Sequence, residues 1–373
     1  MQATLALIGT IIGAGIFAVP SMIGAWGVIP ATIGFGIVTL IVLAVHLYMA
    51  EAALAYRPQA RLTGFARHWL GPFAARIGGT SLALQIYGAN LAYLILGGQF
   101  LSVLFHQLGI DLPVFAWQLL FWCAIATIVA LGLSKISRIA AFVTWLMVTA
   151  MLLIIGSLVG RLHFGIVTAI PSHFTFEPYG VFLFALMGLN VIPELETIVG
   201  GRHDDMRRSV VRGTLGAAAL IYTFGLVVWL ASGGMLGRGP TDVISLLPPA
   251  LMFIVPLFGF LAVTTPFVTT AFDLRSMYRF DGHLPSWVAW AAALGVPLAL
   301  LLLTTHDFLA IIGFVGSILD ATTATIAVLA GRAALRHAGI APFGTRGWWI
   351  QELVPALVCA ALVFGGALWL VVR

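Results

Sequence analysis

Apolar residues in this chain neither alternate nor stripe one face of a helix; they run. From about Ala3 to Ile29 there is no charged residue, and segments of similar length recur to the end, each near the ~20 apolar residues needed to cross a bilayer core. Roughly eleven spans result, at about 3–29, 31–56, 75–106, 113–133, 139–160, 178–200, 209–236, 250–279, 286–305, 307–331 and 350–372, the third and eighth being the long ones. The connections are too short to hold a soluble domain. The longest, about 57–74, carries Arg61, Arg67, His68 and Trp69 in a pattern suited to an amphipathic helix at a membrane surface. The pattern predicts an all-α integral membrane protein, one transmembrane domain over 1–373, with its termini on opposite sides.

Composition agrees: 61% of residues are hydrophobic and 8% charged, against about 25% charged in soluble domains. The net charge of +5 would suggest nucleic acid only if the charges shared a surface, and they do not. With the N-terminus inside, Arg57, Arg61, Arg67, Arg76, Lys135, Arg138, Arg202, Arg207, Arg208, Arg212, Arg275, Arg279, Arg332, Arg336 and Arg346 fall on the cytoplasmic side. Arg161, Arg238 and Arg373 fall outside, which accounts for all 18 basic residues. The positive-inside rule therefore predicts a multi-pass protein of the cell (inner or plasma) membrane, N-terminus cytoplasmic and C-terminus outside. Cys123 and Cys359 lie in apolar runs, which excludes a disulfide framework and a cysteine metal site. The N-terminus lacks the basic region and cleavage site of a signal peptide, so the first span is expected to be retained. Trp26, Trp117, Trp287, Trp290, Trp348 and Trp349 fall near span ends, as in an aromatic belt.

Two spans are interrupted. The first contains Gly9-Thr10-Ile11-Ile12-Gly13-Ala14-Gly15, and the sixth contains Gly188-Leu189-Asn190-Val191-Ile192-Pro193. Each interior glycine costs about 1 kcal/mol of helix stability relative to alanine. Either the glycines serve close helix packing, or each helix breaks at membrane depth. Interruptions at spans one and six divide the chain into two units of five spans, about 1–160 and 175–331, with an extra helix at about 350–372. Because five is odd, the second unit enters the membrane from the opposite side. Paired breaks in an inverted repeat point to a transporter site.

The run Gly9-Thr10-Ile11-Ile12-Gly13-Ala14-Gly15-Ile16-Phe17-Ala18-Val19-Pro20 resembles the first-helix signature of amino acid permeases of the amino acid–polyamine–organocation superfamily. It is most similar to the amino acid/auxin and aromatic amino acid permease branch. Phe184-Ala185-Leu186-Met187-Gly188-Leu189-Asn190-Val191-Ile192-Pro193-Glu194 resembles that branch's sixth helix, and the stretch from Val263-Thr264-Thr265-Pro266 to Phe272-Asp273 more weakly its eighth. The resemblance implies a LeuT-like fold and secondary active transport of an amino acid by alternating access, coupled to Na+ or H+, with no resident cofactor.

Such a site needs no catalytic side chain. The N–H groups of Ala14, Gly15 and Ile16 would open a half-helix onto a carboxylate, close to Thr10. The missing Cβ atoms at Gly13 and Gly15 would let the ligand approach. Carbonyls of Phe184, Ala185 and Met187 would end a half-helix and face an ammonium group, and Pro193 would free one more. An α-amino acid satisfies both ends. Asn90 and Tyr93 share a face of the third helix, and Met187, Gly188, Leu189, Asn190 and Phe182 are candidate walls for a neutral, apolar or aromatic side chain. By the resemblance, Thr264 and Thr265 face the first helix, where their hydroxyls and the carbonyls of Gly9, Ile12 and Leu261 would cage a sodium ion. Their hydroxyls bonding back to i−4 carbonyls explains them equally well. Some proton-coupled relatives place a fifth-helix lysine there; residues 139–160 contain none. Intramembrane acids are the other candidates: Asp320 deep in the tenth span, and Glu51, Glu194, Glu196 and Asp273 near inner ends, as a gate or as interfacial ion pairs. His46 lies in the second span with no role assigned, and His306 with Asp307 would cap the tenth. Expected partners are an amino acid and lipid, not nucleic acid. A transporter-fold sensor and a membrane-embedded enzyme are the alternatives, although the zinc-protease, nucleophile-elbow and P-loop motifs are absent.

Overall fold

The structure, a computed structural model, describes residues 1–56, 60–132, 136–168, 175–237, 241–246, 252–280, 283–304, 307–338 and 348–371. The described residues form helices and turns. Ten helices are long and apolar enough to cross a membrane, and a pair of shorter ones at the start makes a further crossing. In chain order they are α1a (Gln2–Ile11) and α1b (Val19–Trp26), α2 (Val28–Ala55), α3 (Pro72–His106), α4 (Val114–Leu131), α5 (Ile136–Leu158), α6a (Glu177–Leu186) and α6b (Ile192–Val199), α7 (His203–Ala231), α8 (Ile254–Phe280), α9 (Ser286–Leu303), α10a (Phe308–Phe314) and α10b (Ala321–Ala338), and α11 (Trp348–Val371). They follow the apolar runs because a segment in lipid must bond its own backbone internally. α3, at 35 residues, is the longest; α8, at 27, is no longer than α2 at 28 or α7 at 29, so only one of the two spans expected to be long stands out. Arg57, Lys135, Arg238, His306, Arg346 and Arg373 lie outside the described residues.

Sharp joints are local. Gly27, at φ 81°, turns α1b into α2 in a conformation that side-chain-bearing residues rarely adopt. Gly200, at φ 66°, ends α6b, and the Gly201 N–H closes back onto the Glu196 carbonyl at 3.2 Å. The Asp307 carboxylate caps α10a by accepting the Ala310 N–H at 3.1 Å.

The halves of the first crossing sit in the middle of the bundle. α1a packs on α5, α6b and α7, while α1b packs on α2, α6a and α7. Two glycines make this close: a Cβ on Gly9 would lie 2.1 Å from the Thr144 hydroxyl of α5, and one on Gly213 of α7 would lie 2.8 Å from Leu7. The connection between α2 and α3 does form a helix, Leu62–Leu70, and Leu62, Phe65 and Ala66 are buried against α3 and α10b. Its other face exposes Arg67 and His68, the amphipathic pattern expected. The tryptophans divide likewise. Trp287 is 74% exposed as a belt residue would be, whereas Trp26 is buried with its Nε1–H donated to the Thr175 carbonyl at 2.6 Å and Trp117 stacks on Phe105.

Candidate site at the paired helix breaks

Both glycine-rich stretches are breaks. The backbone leaves α1a at Ile12 (ψ 91°) and passes through Gly13 in an extended conformation (φ −134°, ψ −153°) before a single 3-10 turn, Ala14–Phe17, leads into α1b. Within that turn the Ile16 N–H bonds the Gly13 carbonyl at 3.3 Å. Ile16 is therefore already engaged, and the N–H groups without a backbone acceptor at the break, among the described residues, are those of Gly13, Ala14 and Gly15. α6a ends at Leu186, Met187 is extended, and a 3-10 turn over Leu189–Val191 leads to α6b. The Met187 N–H closes onto the Phe184 carbonyl at 3.3 Å, which leaves that carbonyl a second lone pair.

The two glycines thought to admit a ligand have different surroundings. A Cβ on Gly13 would meet only the Tyr93 hydroxyl, at 3.9 Å, so space opens there between the break and α3. A Cβ on Gly15 would lie 2.5 Å from the Ala185 Cα, which makes Gly15 the point where the two broken helices touch. Gly188 is likewise a contact, 2.7 Å from the Ile11 side chain by the same measure.

Asn90 is fully buried, and its Oδ1 stands 2.6 Å from the Thr270 hydroxyl of α8. That hydroxyl has one hydrogen and also faces the Pro266 carbonyl at 2.7 Å. Whichever acceptor takes it, one end of the Asn90 amide is left without a partner among the described residues. Tyr93 stands one turn further along α3, against Phe267 at a ring distance of 6.4 Å. Thr10 donates back to the Ala6 carbonyl at 2.9 Å. Leu189 and Asn190 line a small cavity with Arg61, Pro193, Asp273 and Met277, on the α6b side of the break. Phe182 is fully buried, edge-on to Trp26 and Phe35.

The sodium candidates meet a competing use. The Thr264 hydroxyl donates to the Phe260 carbonyl at 2.6 Å, the i−4 bond that membrane helices favour. Pro266 lacks an N–H, so the carbonyl it frees one turn back is that of Ala262, one residue beyond Leu261. Gly9 is held against Thr144, and Ile12 is buried beside it, its N–H bonded to the Ile8 carbonyl at 2.9 Å. Thr265 is half-buried, and its carbonyl accepts from the Thr269 hydroxyl at 3.1 Å.

The acids near the basic end find specific partners. Arg61, at the start of the Leu62–Leu70 helix, lies 2.8 Å from Asp273 on α8 and 3.8 Å from Glu194 on α6b, so one guanidinium ties three elements together. Glu51 pairs with His203 at 3.6 Å. Arg275, the sequence neighbour of Asp273, turns away to the Val129 carbonyl and the Ser286 hydroxyl.

Comparison with known proteins fits this geometry. The sequence model of the Tryptophan/tyrosine permease family matches residues 1–236. This chain belongs to that family. The permease is 28% identical over 391 residues to a tryptophan-specific transport protein of Shigella flexneri, and 27% identical over 389 residues to one of Pseudomonas aeruginosa (strain UCBPP-PA14). Both alignments cover 96% of this chain and 90% of the relative. Among solved structures, MhsT in complex with L-phenylalanine superposes with a TM-score of 0.70 at 16% identity, covering 99% of this chain and 97% of that one. Mhp1, a nucleobase-cation-symport-1 family transporter in a closed conformation with bromovinylhydantoin bound, gives 0.69 at 12% identity, covering 99% and 90%. The permease has the LeuT fold of these transporters and is a multi-pass amino acid transport protein of the cell membrane.

Two features of the permease escaped the sequence. At the end of the 3-10 turn, Phe17 meets Phe100, Phe258 and Phe224 at ring distances of 4.8, 5.5 and 6.3 Å, a buried aromatic plug joining that turn to α3, α8 and α7. And His46 of α2, wholly buried, serves the sixth-helix break. Its Nε2 accepts the Gly188 N–H at 3.1 Å, while Nδ1 faces the Thr214 hydroxyl of α7 at 2.9 Å. An N–H freed at membrane depth needs such a partner. A lone intramembrane histidine was the one signal available. His46→Leu, which orphans that N–H at about 1–3 kcal/mol, is expected to lower thermal stability and weaken substrate binding, while His46→Gln keeps an acceptor and most of both. Thermal unfolding in detergent with and without ligand checks this.

Proposed function

We propose that this permease is a secondary active transporter of an aromatic α-amino acid, tryptophan foremost, working by alternating access. The observation that carries the reading is the open space at Gly13, bounded by the Tyr93 hydroxyl and placed between two broken helices that touch at Gly15 and Ala185. The carboxylate would take the Ala14 and Gly15 N–H groups, with Tyr93 and Thr10 beside them, and the ammonium the acceptors of the α6 break, Ala185 and Met187 first. The orphaned amide of Asn90 and the aromatic faces of Tyr93 and Phe267 would hold the indole. Tryptophan as substrate follows the names of the curated relatives, and we place the family in the amino acid–polyamine–organocation superfamily on the first-helix signature. The charge distribution supports an N-terminus in the cytoplasm, so Arg61 with Asp273 and Glu194 closes the cytoplasmic side and the Phe17 cluster the outer one. Coupling is to a cation, either sodium at Gly9, Ile12, Leu261, Thr264 and Thr265 or a proton at a buried acid.

Competition against radiolabelled tryptophan tests the two-ended site. Tryptophan and phenylalanine are expected to compete. Tryptamine, without the carboxylate, and indole-3-propionate, without the ammonium, are expected to bind about tenfold to a hundredfold more weakly, each having lost charge-assisted hydrogen bonds. Equal binding of all four would sink the assignment of the half-helix ends.

A further inference from the structure

The acid that no ion pair explains is Asp320. Between α10a and α10b the helix widens into one π turn, Val315–Asp320, a distortion frequently found at functional sites. Asp320 closes that turn and is wholly buried. No hydrogen bond of good geometry reaches either carboxylate oxygen among the described residues, the Gln85 carboxamide being the one polar group close enough to act on them, and the hydroxyl of Ser317, also wholly buried, one turn earlier, has no partner among those residues. The carboxamide of Gln85 on α3 lies alongside, and its Oε1 accepts from the Thr323 hydroxyl at 3.3 Å. Among the described residues, the titratable groups near enough to feel an Asp320 charge are Tyr93 of α3 and Tyr179 of α6a. Glu177, also on α6a, stands beside Gly313 of α10a, ahead of the turn. Glu352 of α11 is taken by Arg332 and Arg336, and α10 carries no other titratable group between Asp307 and Arg332.

An ionised carboxylate sealed from water, with no cation and only a neutral carboxamide beside it, is strongly unfavourable. A neutral acid is not, since its O–H can turn to the Gln85 carboxamide. From this geometry we propose that Asp320, with Gln85 and Ser317, is the proton-binding site that couples transport, loaded in the closed arrangement seen here and emptied to water when the bundle opens. This rests on the transport reading above and adds the ion and its residue. The π turn is placed to pass the change on. A Cβ on Gly316 would lie 1.8 Å from the Gly180 carbonyl and 3.0 Å from the Phe184 amide, so the turn bears directly on α6a just before its break. The Ser81 hydroxyl of α3 holds the Leu319 carbonyl at 3.1 Å.

The test is tryptophan uptake into sealed proteoliposomes under a pH gradient or a sodium gradient, with wild type, Asp320→Asn, Asp320→Glu and Gln85→Leu. Wild type is expected to accumulate tryptophan under an inward proton gradient, about tenfold per pH unit for one proton per substrate. Asp320→Asn, which mimics a permanently protonated acid, should bind and exchange tryptophan but no longer accumulate it, and Asp320→Glu should regain accumulation. Accumulation by Asp320→Asn under a pH gradient overturns the inference, as does wild-type accumulation driven by sodium and indifferent to pH. Wild type that binds but never transports would instead sink the transport reading. Should Asp320→Asn not bind tryptophan at all, Gln85→Leu decides: with the acid kept and its polar neighbour removed, the pH midpoint of uptake moves by about one unit, and an unmoved midpoint overturns the inference.

Discussion

Gly13→Leu is expected to fold and to bind no measurable tryptophan, and Gly13→Ala to weaken binding by about tenfold to a hundredfold, the loss of one or two charge-assisted hydrogen bonds. A Cβ at Gly13 meets nothing nearer than the Tyr93 hydroxyl at 3.9 Å, an ordinary contact, so the protein tolerates the methyl and the ligand does not. Gly15→Ala should behave in the opposite sense. Its Cβ would lie 2.5 Å from the Ala185 Cα, and overpacking against backbone costs about 1–3 kcal/mol or more, so its thermal stability falls before any binding can be measured. Size-exclusion profiles, melting curves and equilibrium binding on the three variants separate the two glycines. Normal tryptophan binding by Gly13→Leu would move the site elsewhere.

Arg61→Ala is expected to open the side that Arg61 closes. The guanidinium joins the loop helix, α6b and α8 through Asp273 and Glu194. The Asp273 side chain is only 19% exposed, so this pair is worth more than a surface ion pair, which contributes about 0–1 kcal/mol. Losing about 1–2 kcal/mol of closure raises the open population roughly fivefold to thirtyfold. A cysteine at Asn190, in the cavity beside Arg61, reports this in a background lacking Cys123 and Cys359. Its labelling by a membrane-impermeant thiol reagent should quicken by that factor in Arg61→Ala. Exchanging the charges, Arg61→Asp with Asp273→Arg, should slow it again. An unchanged labelling rate would reduce the cluster to an interfacial ion pair.

How much of this the sequence disclosed follows from the range of each interaction. The crossings and both breaks were legible because they are local: apolar runs of fixed length, and glycines too frequent for an undisturbed helix. Where the glycines differ was not legible. Gly13 and Gly15 are two residues apart in one motif, and only the arrival of Ala185 from α6a makes one a contact and the other an opening. The partner of Asp273 was hidden for the same reason, since Arg275 is near in sequence but Arg61 is near in space. His46 could be seen as an odd residue in an apolar span, yet the Gly188 N–H it accepts lies 142 positions away. Asp320 was conspicuous from its surroundings in sequence, whereas Gly316, inside the π turn that carries it, looks like any packing glycine of an apolar span.

The most direct test of the transport reading is the time course of radiolabelled tryptophan uptake into sealed proteoliposomes holding the purified permease under an imposed ion gradient. The proposed function predicts saturable accumulation that protein-free liposomes lack and that Gly13→Leu abolishes. Tight tryptophan binding with no uptake above protein-free liposomes, under any gradient, would contradict it and leave a transporter-fold sensor in its place.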